Sequence, residues 1–245
     1  MFKLLKGLAK RICFSYVNEV NKREYHAQHF TGINERPIEY GFVFRHLTRL
    51  WPRTVLDVGT GVTSLPELMR TCGFLVTATD NKGDYWPSAM TNRHYFIIDD
   101  DITKTMIHET FDFITCISVL EHIQEHDAAL RSLSRLLNPG GHLVVTFPYN
   151  EEVYAPNVYE VEGSNSKGRF AFATQAFSRK EVEYWTSVNS LAIVEQEYWR
   201  FFTGDYWTVG ERVIPPVRVR RDQEHQLSCL LLEKRESSLN GRSTP

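Results

Sequence analysis

The chain has 245 residues, 42% of them hydrophobic and 24% charged, with a formal net charge of −2. Near-neutral charge supplies no electrostatic footprint for nucleic-acid binding, and no apolar run is long enough to form a transmembrane helix. Cys13, Cys72, Cys116 and Cys229 stand far apart; this excludes a disulfide scaffold or zinc knuckle and predicts a reduced, cytoplasmic setting.

Residues 1–14 predict a helix with Phe2, Leu5, Leu8, Ala9 and Ile12 on one face and Lys3, Lys6 and Lys10 on the other. Two readings fit: an amphipathic helix packed on its own domain, or a membrane-surface helix that makes the protein peripheral. Residues 37–50 open with Pro37 and follow a helical rhythm through Phe42, Phe44, His46, Leu47 and Leu50. The run RTVLDVGTGV is a strand meeting a glycine turn, and Ser64 with Glu67 has the spacing of a capping box at the next helix. Strands are predicted over 74–80, 94–102, 111–118 and 142–148, with a helix over 123–137 and a stop at NPGG (138–141).

These strands are continuously apolar, as parallel strands covered on both faces should be. Their alternation with helices predicts a doubly wound α/β sheet. Residues 149–177 lose periodicity. Ser178 and Glu181 then form a second capping box, and strands follow over 191–199 and 226–234. Between these strands, 198–221 concentrates aromatic residues and arginines.

The chemistry-bearing signal is VLDVGTGVT, Val55 to Thr63. Alone, its two glycines fit either a ligand-cradling loop or a structural turn. Acids at later strand ends strengthen the first reading: Asp80, and then Asp99, Asp100 and Asp101. In open α/β sheets ligands sit outside the carboxyl ends of the strands, so these groups converge on one crevice. A dinucleotide loop normally has a third glycine where this chain has Thr63, and Asp57 would repel phosphate. A nucleoside with a positively charged end fits better than NAD.

With VLDVGTG (55–61), TATD (77–80), DDDI (99–102), FDFITCISVLEHI (111–123) and NPGGHLVV (138–145) in this order, the chain resembles the class I S-adenosylmethionine (SAM)-dependent methyltransferases. The resemblance implies a Rossmann-like seven-stranded sheet whose last strand is antiparallel, SAM as cofactor and S-adenosylhomocysteine as product. It implies that Gly59, Thr60 and Gly61 pass the methionine part of SAM, with Asp57 orienting that loop. Asp80, with Asn81 beside it, would hold the ribose, and Asp101 with Ile102 would face the adenine. Cys116, Ile117 and Ser118 would line the methionine side.

His122, with Glu121 beside it, is the candidate base for a hydroxyl or amine acceptor; the other reading makes it a helix cap. Tyr149 is expected at the crevice rim. Tyr25, His26, His29 and Tyr40 belong to helices that fold over the cofactor in such enzymes, while His94 and His126 carry no role. No metal-ligand pattern stands out.

The expected organisation is a helical segment over 1–36, the methyltransferase domain over 37–236, and a disordered tail over 237–245. Insertions 149–177 and 198–224 would cap the acceptor. Tyr198, Trp199, Phe201, Phe202, Tyr206 and Trp207 with Arg212, Arg218, Arg220 and Arg221 would form an acceptor wall or, equally, a satellite core. The expected reaction is O-methylation of a saccharide or glycosylated small molecule. The alternatives are N-methylation of an amino sugar, O-methylation of a phenol or quinone, or a non-catalytic protein of the same fold.

Overall fold

A computed structural model describes residues 2–28, 34–61, 63–81 and 95–235. The helices are α1 (Phe2–His26), α2 (Arg36–Leu50), α3 (Leu65–Thr71), α4 (His126–Leu136) and α5 (Arg179–Val188). The strands are β1 (Thr54–Val58), β2 (Leu75–Asp80), β3 (Ile97–Asp99), β4 (Phe111–Ile117), β5 (Leu137–Pro148), β6 (Leu191–Phe202), β7 (Arg212–Val219) and β8 (Leu227–Lys234). They form one sheet in the order β3-β2-β1-β4-β5-β8-β6-β7. The contacts of β1 through β5 are parallel, and β8 runs antiparallel to both β5 and β6.

The apolar strand runs are explained by two-sided burial. Leu56 and Val58 of β1, Ile114 and Cys116 of β4, and Leu143, Val145 and Phe147 of β5 face one cluster. That cluster includes Leu130, Leu133 and Leu136 of α4 and Val182 and Trp185 of α5. The alternate residues, Val55, Phe113, Ile117 and Val144, face Phe42, Val43 and Leu47 of α2 and Leu65 and Met69 of α3. A period of two with both faces buried makes the strands mainly apolar, and the polar residues they carry, such as Asp57, Thr115 and Thr146, are buried.

Several expectations change. The last strand of the chain is antiparallel as expected, and an eighth strand, β7, extends the sheet. It pairs antiparallel with β6 through Tyr198↔Val219 and Trp199↔Arg218. About half of the predicted insertion 198–224 is therefore sheet. β5 begins at Leu137, before NPGG, and the register between β4 and β5 shifts between Phe111 and Phe113. The helix ends at Leu136, as expected, and NPGG is in addition an excursion within β5, where Asn138 Nδ2 donates to Asp112 Oδ1 (2.8 Å).

Ser64 makes no side-chain cap, and Glu67 instead pairs with Arg70. The Ser178–Glu181 capping box is present. α1 extends well beyond residue 14, and none of its residues is buried, which overturns the reading that it packs on its own domain. Among the described residues no helix is long and apolar enough to cross a membrane. His29, His94 and the tail 237–245 lie outside the described residues.

Candidate active site

The carboxyl ends of the parallel strands open into a cavity of about 610 Å³, within the range of small-molecule and cofactor sites. After β1 the wall is Val58, Gly59, Thr60 and Gly61; β2 contributes Asp80 and Asn81. Past β3 come Asp100, Asp101, Ile102 and Thr103, and β4 gives Ile117, Ser118 and Val119 before Glu121 and His122. Eleven of the fourteen site residues expected from sequence therefore meet in one place: Gly59, Thr60, Gly61, Asp80, Asn81, Asp101, Ile102, Ile117, Ser118, Glu121 and His122.

The glycine turn is held from the neighbouring strand. Gly59 N and Thr60 N both donate to the Thr79 carbonyl, at 2.9 and 3.2 Å. Gly61 N donates to Asp80 Oδ2 at 2.8 Å, tying the turn to the end of β2. Gly59 has φ 71°, and a Cβ there would lie 2.5 Å from Val119 Cγ2, so only glycine fits. Asp101 caps the 3-10 turn Ile102–Lys104 by accepting from Thr103 N (3.0 Å) and Thr103 Oγ1 (2.8 Å), and these donors hold its carboxyl below the usual range.

Three expected residues are not in the wall. Asp57 lies beneath the turn, 2% exposed, and accepts from Thr115 Oγ1 at 2.5 Å. Burial pushes its carboxyl up to about 7. Cys116 points into the core, where burial raises its thiol well above the usual range. Tyr149 corrects a prediction outright. It is 1% exposed, stacks on His225, and donates its hydroxyl to Glu151 Oε2 at 2.8 Å. Burial, reinforced by that carboxylate, raises its phenol, so Tyr149 is core. Tyr25 and His26 are exposed on α1, and Tyr40 is outside the cavity wall.

The sequence reading missed the start of α2. Glu35 and Arg36 line the cavity. Arg36 Nη1 donates to Glu39 Oε2 at 2.7 Å, and Ser118 Oγ and Thr146 Oγ1 each donate to Glu39 Oε1 at 2.6 Å. Glu39 is fully buried, so one internal carboxylate fixes a cavity arginine and the end of β4 together. The signal was present: α2 buries Glu39, Phe42, Val43, His46 and Leu47, a helical face with an acid in it.

Glu121 is 3% exposed and its Oε2 has no hydrogen-bond partner; burial holds its carboxyl far above the usual range. His122 Nδ1 lies 3.1 Å from the Ala173 carbonyl, and its ring meets Phe172 edge-on at 5.2 Å. A carbonyl can only accept, so Nδ1 is the donor in this contact, and in the neutral ring the lone pair is left on Nε2.

The outer wall is Tyr159, Phe170, Phe172, Thr174 and Trp207. Most of it comes from the first insertion, which Gln175 hooks to the site. Gln175 N donates to the Glu121 carbonyl (2.9 Å), and Nε2 donates to the Ile123 carbonyl (2.8 Å).

Of the second aromatic group, only Trp207 reaches the cavity. Phe201 and Phe202 join the main core on the α2 side of the sheet, so they form neither an acceptor wall nor a satellite core. The arginines are outside the wall: Arg218 pairs with Glu197, Arg220 with Asp222 and Arg221 with Glu151, while Arg212 lies over the Phe202 ring. Among the described residues no group of three potential metal ligands is present.

A cavity at the carboxyl edge of a doubly wound sheet, with a glycine turn beside strand-end acids, defines an α/β protein built around a nucleoside cofactor. The chain belongs to the family described as "Methyltransferase domain", whose profile matches residues 34–202. This places it among the class I SAM-dependent methyltransferases.

It is 27% identical over 118 residues to a ubiquinone biosynthesis O-methyltransferase of Pectobacterium atrosepticum, covering 44% of this chain and 47% of the relative. The chain thus spans about half the length of the curated relatives it matches. The fold is shared with a magnesium protoporphyrin IX methyltransferase from Synechocystis with bound S-adenosylhomocysteine, with a TM-score of 0.52 at 17% identity. That match covers 92% of this chain and 99% of that one. It is shared also with an N-methyltransferase from Bradyrhizobium japonicum in complex with S-adenosylhomocysteine, with a TM-score of 0.51 at 16% identity, covering 82% and 88%.

The geometry fits SAM. The glycine cradle has no room for a side chain at Gly59, and the inner wall is acidic (Asp80, Asp100, Asp101). Such a wall suits hydroxyl and amino donors and a cationic ligand better than a phosphate.

Proposed function

We propose that this protein transfers a methyl group from SAM to a hydroxyl on a ring-shaped small molecule, with a saccharide or glycosylated metabolite as the first choice of acceptor. The observation that carries this reading is His122 in a cavity whose outer wall is aromatic (Tyr159, Phe170, Phe172, Trp207) and polar (Glu35, Arg36, Thr174). Rings stack against the apolar face of a sugar or a phenol, and the polar groups between them suit a polyhydroxylated one.

When bound, SAM supplies an electrophilic methyl on a neutral leaving group. The protein's own contribution is then alignment and proton removal. In this reading Gly59, Thr60, Gly61, Ile117 and Ser118 line the methionine part. Asp80 and Asn81 hold the ribose, and Asp101 and Ile102 the adenine. Asp57 and Cys116 act from beneath, supporting the turn and the end of β4. Arg36, held by Glu39, is the cation available to a carboxylate. His122 Nε2 takes the acceptor proton.

A second reading, methylation of a phenol or quinone precursor, draws on the names of the curated relatives. Incubation with methyl-labelled SAM and a panel of sugars, amino sugars and phenols decides among these. Label on a sugar hydroxyl is the expected result; label on a phenol or on nitrogen moves the assignment to that alternative. His122→Ala should lower turnover by about 100-fold or more while SAM affinity is retained. Undiminished turnover removes His122 from the reaction. Absence of a thermal shift with both SAM and S-adenosylhomocysteine rejects the whole reading.

A further inference from the structure

α1 carries a surface that the catalytic reading leaves unused. Phe2, Leu5, Leu8, Ala9 and Ile12, with Tyr16 one turn on, recur at spacings of three and four and share one helical face. That face is open: Leu5 is 58%, Leu8 57% and Ile12 61% exposed. Leaving such a stripe in water is unfavourable, and contiguous apolar patches mark interaction sites.

The charges select the partner. Lys3, Lys6, Lys10 and Arg11 lie within residues 2–14, with no acid among them; Glu19 and Glu24 come later. Lys6 flanks the apolar stripe, and Lys3 and Lys10 lie on the far side. A second copy would meet this cationic segment with another of the same sign, whereas an acid-free run up to Glu19 is matched by an anionic surface. An anionic lipid surface satisfies both halves: acyl chains take the stripe, headgroups take the ammonium groups, and lysine stems snorkel between them.

We propose that residues 2–16 lie in the plane of an anionic membrane surface and hold the domain there. The proposal is independent of the acceptor and of the chemistry at His122.

The test is co-flotation of the full chain with phosphatidylcholine vesicles prepared with and without phosphatidylglycerol. Binding is expected only with phosphatidylglycerol, and it should fall as salt is raised. Changing Lys3, Lys6 and Lys10 together to Gln should weaken partitioning on the order of 100-fold. A chain lacking residues 1–14, and the triple change Leu5→Ser, Leu8→Ser, Ile12→Ser, should stay with the soluble fraction. The SAM-induced thermal shift of each variant reports that the domain is still folded.

Failure of the full chain to float with phosphatidylglycerol vesicles overturns the proposal, as does equal flotation with both vesicle types. Light scattering that shows a dimer lost on deletion of residues 1–14, with no vesicle binding, assigns the face to a second copy instead.

Discussion

A methyl group at Gly59 has nowhere to go. It would stand 2.5 and 2.7 Å from the two Cγ atoms of Val119, on a backbone with φ 71° that side chains rarely adopt. Gly59→Ala therefore carries left-handed strain and a clash, together about 2–3 kcal/mol. Thermal denaturation should show a fall in Tm of roughly 5–10 °C for a chain this size, with weaker SAM binding. Adding Val119→Ala should recover part of the loss, because it removes the clash and leaves the strain.

This glycine was legible because its constraint is local: two glycines after an apolar strand. Glu39 was harder to read. Its significance lies in Arg36, Ser118 and Thr146, which reach it from three segments; the sequence marks only an acid on an apolar face. Tyr149 was misread for the complementary reason. Its place directly after a cavity-bearing strand suggested the rim, but side-chain direction at a strand end is set by packing, here against His225 and Glu151.

Elements differ in the same way. Parallel strands with two buried faces announce themselves, and so does α5, whose capping box closes within four residues. The 149–177 segment has no periodicity because tertiary hydrogen bonds, not a repeating backbone pattern, hold it. Gln175 does much of this work, donating to the carbonyls of Glu121 and Ile123 while accepting from the Tyr154 hydroxyl at 2.6 Å.

Gln175→Ala leaves the backbone bond from residue 175 to Glu121 but strips the side-chain hook. It should cost about 1–3 kcal/mol of stability. More diagnostically, it should raise KM for the acceptor with little change in SAM affinity, since Phe172 and Thr174 belong to the outer wall and the glycine turn is untouched. Steady-state kinetics against both substrates checks this; a matching loss of SAM affinity would show that the insertion supports the whole cavity.

At the scale of the molecule, buried acids near the site make stability depend on pH in an unusual direction. Asp57 has its folded pKa raised to about 7 by burial, against an ordinary value near 3.8. Below the ordinary value both states hold the proton and nothing is lost. As pH rises toward 7 the unfolded chain ionises first, so the stability contributed by Asp57 declines through that window and is gone above it.

Glu121, also raised by burial, acts with the same sign. His46 opposes them. Burial lowers its folded pKa to about 4 from 6.5, so its contribution is present above 6.5 and is lost as pH falls toward 4. His142 and His225, also lowered by burial, act with the same sign as His46, so the parent profile sums opposing contributions.

Asp57→Asn isolates one component, because the amide oxygen can still accept from Thr115 Oγ1 while the titration disappears. Relative to the parent, the variant should gain stability steadily from pH 4 to pH 7, approaching about 4 kcal/mol at the linkage limit, and then remain parallel. Urea unfolding of both proteins across that range gives the difference directly, with the other titrating groups cancelling. A constant difference at every pH would mean that Asp57 is already ionised in the folded protein, with its charge stabilised beneath the turn.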